Sequence, residues 1–160
     1  MSQTSDGGLW SYALRVYARP GVEAALLEAQ DVYDQCVPYL LWALWLAAGD
    51  RPVDSEALAT GADMARAWQD AAIAPLRGLR RRLKTPIPHM PTVKQARLRE
   101  GVRALELAAE RALLETLEAA SPSPGDRRGD ADVKLAEAVR AWGGGAIPAA
   151  LIARLAALAG

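Results

Sequence analysis

Four cations at helical spacing, Arg77, Arg80, Arg81 and Lys84, are the residues of this chain best suited by type and position to do chemistry. They stand at i, i+3, i+4 and i+7, so a helix places them along one stripe, and Leu76, Leu79 and Leu83 then form the opposite, buried face. Guanidinium forks match carboxylate and phosphate oxygens two at a time, which suits such a stripe to an acidic protein surface or to a phosphate backbone. Arg97 and Arg103 follow in the same basic stretch. Residues 66–103 hold ten cations against Asp70 and Glu100, a surplus of eight positive charges in a chain whose formal net charge is zero. The rest of the chain carries the opposite surplus, so the molecule is a charge dipole.

Like charges repel at this spacing, so the stripe costs stability unless carboxylates or an anionic partner offset it. Glu106, Glu110, Glu115 and Glu118, in a later helix, could do so from within the fold; an external acidic partner is the other solution, and the sequence leaves both open. Sixteen Arg against three Lys fits anion docking and GC-rich codon usage equally well, and decides nothing.

Other chemistry finds little support. His89 is the only histidine and lies between Pro88 and Pro91, with no second His or Cys to complete a metal shell. The Glu-x-x-His pairs of di-iron bundles are absent, and any catalytic triad would have to use this single imidazole. Gly143-Gly144-Gly145 has neither the order of a dinucleotide loop nor the Lys-Ser/Thr of a P-loop, and reads as a helix stop. No cofactor is expected. Trp42, Trp45 and Trp68 fall in apolar helical runs and read as core rather than as base-stacking platforms, with Trp10 and Trp142 nearer helix ends. Cys36 excludes an internal disulfide and fits a reducing compartment as a buried thiol.

The elements that must carry these residues are helical. Ala (34) and Leu (22) swamp Val (9) and Ile (4), and Phe is absent. A first short helix runs from Leu9 to about Ala18, and Pro20 suits the first turn of a second. Pro38 opens a third helix that is apolar nearly all round and stopped by Gly49, which places it at the centre. At 11 residues the run from Pro38 to Ala48 is far short of the roughly 20 that span a bilayer. Asp54 is the N-cap of a fourth helix, which Pro75 kinks or restarts and which ends near Lys84. Residues 85–91 form a stiff Pro-rich connector. Thr92 and Gln95 match a capping box that starts a long fifth helix reaching Ala119. Residues 121–129 read as a flexible loop, followed by a sixth helix, Ala131 to Trp142, and a seventh from Pro148. Residues 1–8 read as disordered and lack the features of a signal peptide, which predicts a cytoplasmic protein.

Leu9-Trp10 with Tyr12 and Tyr17, Pro20-Gly21-Val22-Glu23, Leu40-Leu41-Trp42 with Leu44-Trp45-Leu46-Ala47, and Trp68 followed by Pro75-Leu76-Arg77-Gly78-Leu79-Arg80-Arg81-Arg82-Leu83-Lys84 together resemble an uncharacterised family of short proteobacterial helical proteins of unknown function. The resemblance spans residues 9–119, with Pro38 where the family pattern has Asn before the central helix. It implies a bacterial cytosolic protein and supplies no activity, substrate or catalytic residue.

The sequence thus predicts one all-α domain over residues 1–160, a bundle of six to seven helices around a central apolar helix. The expected function is a non-catalytic interaction or regulatory role, with Arg77, Arg80, Arg81, Lys84, Arg97 and Arg103 facing an acidic protein. RNA or DNA binding through the same stripe is the alternative, although no groove-reading motif is visible. A small-molecule enzyme with Arg77 and Arg81 holding an anion would require a pocket converging on titratable groups. A homodimer could pair the acidic and basic halves. A basic helix can also lie on anionic lipid, but exposed apolar anchors beside the stripe are not evident from the sequence.

Overall fold

The apolar run at Pro38 forms α3 (Val37–Ala48), in which every residue from Val37 to Ala47 is buried. A helix apolar on all sides must be covered on all sides. In the computed structural model, which describes residues 8–125 and 130–159, five helices do this: α1 (Leu9–Tyr17), α2 (Val22–Tyr33), α4 (Ser55–Trp68), α6 (Thr92–Ala119) and α7 (Ala131–Trp142). A π turn, Gln69–Ile73, joins α4 to α5 (Ala74–Arg82), and α8 (Ala149–Ala159) closes the described chain against α2 and α7. With α4, the π turn and α5 counted as one continuous rod, there are seven helical rods and no strand among the described residues. Among the described residues no helix is long and apolar enough to cross a membrane.

Aromatic side chains set the centre, and each polar edge finds a partner. The Tyr39 hydroxyl donates to Leu58 O (2.8 Å), Trp42 Nε1 to Ser121 Oγ (2.7 Å) and Trp142 Nε1 to Asp34 O (2.8 Å). Tyr39 lies 5.5 Å from the Trp42 ring and 5.8 Å from that of Trp142. α4 crosses Trp42 at Gly61, where a Cβ would sit 2.5 Å from the indole; space rather than dihedral freedom requires glycine there.

The helix boundaries follow local chemistry. Asp54 caps α4 as expected, accepting from Ala57 N at 2.8 Å. Pro75 has no N–H to bond back to residue 71, and the rod passes this gap in π register, the predicted irregularity. Pro20 does not enter α2: Gly21, at φ 85°, turns the chain first. The capping box at Thr92 does not form either. Pro91 precedes α6 without a side-chain cap, and Gln95 is buried with its Nε2 donating to Leu83 O (2.8 Å) and Thr85 O (2.7 Å) while its Oε1 accepts from Ile87 N (3.2 Å). The prolines of the connector leave carbonyls at the end of α5 without helical partners, and Gln95 satisfies them. α5 and α6 are thereby clasped as an antiparallel hairpin.

Ser121–Gly125, the described part of the Pro/Gly-rich loop, lies on the α3–α4 turn: Arg51 Nη1 donates to Pro122 O (2.7 Å) and Gly125 N to Asp50 O (3.0 Å). Residues 126–129 of that loop, and residues 1–7 of the N-terminal segment, lie outside the described residues. The glycine run after α7 does more than stop a helix. A Cβ on Gly144 would come within 2.9 Å of Asp34 O, and Gly145 N donates to Tyr33 O (3.0 Å), so this run docks against the α2–α3 turn.

Candidate functional site

The α5–α6 hairpin divides the basic stripe into an inward and an outward half. Arg77 points inward, only 9% exposed; its Nε donates to Glu106 Oε1 (3.0 Å) and its Nη2 to Glu110 Oε1 (3.3 Å). Arg80 Nε donates to the other oxygen of Glu106 at 2.5 Å. Arg81 meets Asp31 of α2 at 3.0 Å on the surface, and Arg103 lies a loose 3.7 Å from Glu100. Lys84 and Arg97 are exposed and, like Arg82 and Lys94, have no ion-pair partner among the described residues. Because α5 and α6 run antiparallel, these last four gather at the connector end of the hairpin. No carboxylate occurs between Asp70 and Glu100 to balance them.

This corrects the expected burial of α5. Leu83 is buried, but Leu76 is only partly so and Leu79 is 42% exposed. Arg77 takes the inner position because Glu106 and Glu110 on the facing surface of α6 compensate its charge there. A second correction concerns apolar anchors beside the cations. Val93 (66%) and Leu98 (50%) stand exposed among Lys94 and Arg97, a feature that sequence periodicity did not reveal.

Glu106 and Glu110, one turn apart on α6, are pushed in opposite directions. Burial disfavours the Glu106 charge, but hydrogen bonds from Arg80 and Arg77 outweigh it and hold the carboxyl below the usual glutamate range. Burial raises the Glu110 carboxyl, and Arg77 compensates only in part. Burial also raises the Tyr17 hydroxyl, with Glu23 and Glu110 adding to the effect. Beside this cluster lies a cleft of about 510 Å³ lined by α1, α2, α3, α5 and α6, with Leu14, Leu27 and Leu107 among its apolar residues and Arg80 and Arg103 among its charged ones. A pocket converging on titratable groups is therefore present. Helical spacing alone marks Tyr17 as an apolar position on α1, and nothing in that spacing reveals the cleft.

The remaining candidates have structural places. Trp42, Trp45 and Trp142 are buried, while Trp10 and Trp68 are partly so. Cys36 is buried and its thiol is pushed up to about 12 by burial. His89 is exposed on the connector at φ 65°. Among the described residues, no cluster of three His, Cys, Asp or Glu side chains could hold a metal ion.

Neither the curated proteins nor the solved structures contain a match to this chain. A family model does match, over residues 8–117, a span that takes in nearly all of α1–α6 and all of the α5–α6 hairpin. The chain belongs to that family, which is described as protein of unknown function DUF2390.

Proposed function

We propose that this is a non-catalytic interaction protein whose α5–α6 hairpin receives an acidic amphipathic helix of a partner protein. The observation that carries the reading is the set of exposed, unpaired cations at the end of the hairpin, Arg82, Lys84, Lys94 and Arg97, with apolar side chains beside them. Within the hairpin Arg99 Nε is also buried with no hydrogen-bond partner among the described residues. Arg77 and Arg80 position the hairpin, whereas Arg81 and Arg103 add weakly held charge at its flanks.

A protein helix fits better than nucleic acid because of what lies between the charges. Leu98, Gly101 and Leu105 stand at i, i+3 and i+7 on the outer face of α6, and a Cβ at Gly101 would meet nothing within 4 Å. Nothing within the chain requires glycine there, and its cost to the helix, about 1 kcal/mol relative to alanine, is explained by close approach of a second helix. A phosphate backbone offers no apolar counterpart to the two leucines. The strip runs along the helix axis rather than ending in one plane, the geometry of helix-on-helix docking rather than of a lipid anchor.

The test is fluorescence anisotropy of a labelled helical peptide with Leu on one face and Glu on the other, against single-stranded RNA and against phosphatidylglycerol vesicles. The peptide is expected to bind best, to weaken in Lys94→Glu/Arg97→Glu, and to weaken separately in Leu98→Asp. Tighter binding of RNA, lost on charge reversal and indifferent to Leu98→Asp, would replace this reading with nucleic-acid binding. Preferential binding to the vesicles would replace it with a membrane-surface role.

A further inference from the structure

The cleft lined by α1, α2, α3, α5 and α6 stands apart from the hairpin end and has the composition of a small-molecule site. Its volume of about 510 Å³ falls within the roughly 300–1,000 Å³ of ligand pockets. Leu14, Leu27 and Leu107 come from three different helices, are all exposed, and all line this one cleft. Isolated surface leucines need no explanation, but three converging on a concave surface form an apolar slot open to solvent.

The polar end of the slot has a defined hydrogen-bonding balance. Glu106 and Glu110 are already engaged by Arg77 and Arg80. The Arg80 guanidinium has used its Nε and Nη2 on Glu106, and its remaining N–H groups need acceptors. Arg103, with its side chain 69% exposed and only the loose contact to Glu100, is available almost in full. The remaining carboxylate of the lining is Glu23, which acts on Tyr17 and forms no ion pair among the described residues. Donors therefore exceed acceptors at the Arg80–Arg103 end.

We propose that this cleft binds a single-chain amphiphile, with its alkyl part in the slot of Leu14, Leu27 and Leu107 and a carboxylate head on Arg103 and Arg80. Arginine pairs with carboxylate through two parallel bonds, and an apolar chain in the slot would cover the three exposed leucines together. The site shares Arg80 and Arg103 with the α5–α6 hairpin but uses none of Arg82, Lys84, Lys94 and Arg97, the cations that carry the hairpin proposal, so different substitutions test the two.

Isothermal titration calorimetry with decanoate, decanol and decylamine at equal chain length tests the assignment. Decanoate is expected to bind about tenfold or more tightly than the other two, the order of a charge-assisted pair. Arg103→Gln should remove that preference and leave decanol binding unchanged, while Leu107→Asp should weaken both. Both side chains are exposed, so the fold is not at risk, and circular dichroism of each variant verifies this. Glu23→Gln should bind decanoate at least as well as the parent. Decylamine binding as tightly as decanoate, an unchanged preference in Arg103→Gln, or no heat from any of the three below their micelle-forming concentrations would overturn the proposal.

Discussion

Replacing Glu106 by Gln tests whether the inward half of the basic stripe holds the fold together. The Glu106 side chain is 8% exposed and receives Arg77 on one oxygen at 3.0 Å and Arg80 on the other at 2.5 Å. Gln keeps the shape but offers one acceptor oxygen and turns an amino group towards a guanidinium. Arg77 would then retain only Glu110, at 3.3 Å, whose own charge burial already disfavours. Removing one partner of a buried pair costs roughly 3–5 kcal/mol; the remaining Glu110 contact and the partial exposure of Arg80 place this case near about 3 kcal/mol. For a domain of this size, at roughly 2–4 °C per kcal/mol, the thermal midpoint falls by about 6–12 °C. Arg81→Ala, which loses a pair whose side chains are both half exposed, should cost less than about 1 kcal/mol. Urea unfolding followed by tryptophan fluorescence compares them. Because the folded Glu106 carboxyl is held low, its contribution is present above the ordinary value of 4.5 and is lost as pH falls below it, so the gap between parent and variant should close in acid. Equal losses in the two variants at neutral pH would refute the reasoning.

Three further outcomes follow from the same contacts. Glu110→Gln should leave stability unchanged or raise it at neutral pH, since burial raises this carboxyl; the gain should fade as pH falls through the raised folded value and vanish below 4.5, where the glutamate is neutral in both states. Gly61→Ala should destabilise by about 1–2 kcal/mol, because a Cβ 2.5 Å from Trp42 forces repacking that outweighs the helix-propensity gain, whereas Gly78→Ala and Gly101→Ala, with open space around them, should stabilise by up to about 1 kcal/mol each. Gln95→Ala should cost about 2 kcal/mol and raise hydrogen exchange at the Ile87 amide, by removing three hydrogen bonds that fix the connector.

Helix positions were legible because they depend on local signals: apolar period, proline and glycine. The all-round apolar run after Pro38 announces a central helix, and Asp54 announces a cap, without reference to anything distant. The face of α5 was not legible. Leucines at 76, 79 and 83 mark an inner face by spacing, yet Arg77 lies there because two carboxylates some 30 residues away meet it. Gln95 fits a capping box locally and is instead claimed by carbonyls across the connector. Glu106 and Glu110 were identifiable as neutralisers from charge alone, whereas which cations they would leave free depends on the antiparallel register. The cleft is the least legible feature, since its lining comes from five helices that only the packed fold brings together.

The measurement that most directly tests the central claim is an amide chemical-shift titration of isotope-labelled protein with the acidic Leu/Glu peptide. The account expects shifts confined to residues 79–105, strongest around Arg82, Lys84, Lys94 and Leu98, with α7 and α8 unmoved. Shifts centred on α7 and α8, or none at peptide concentrations that saturate a micromolar site, would contradict it.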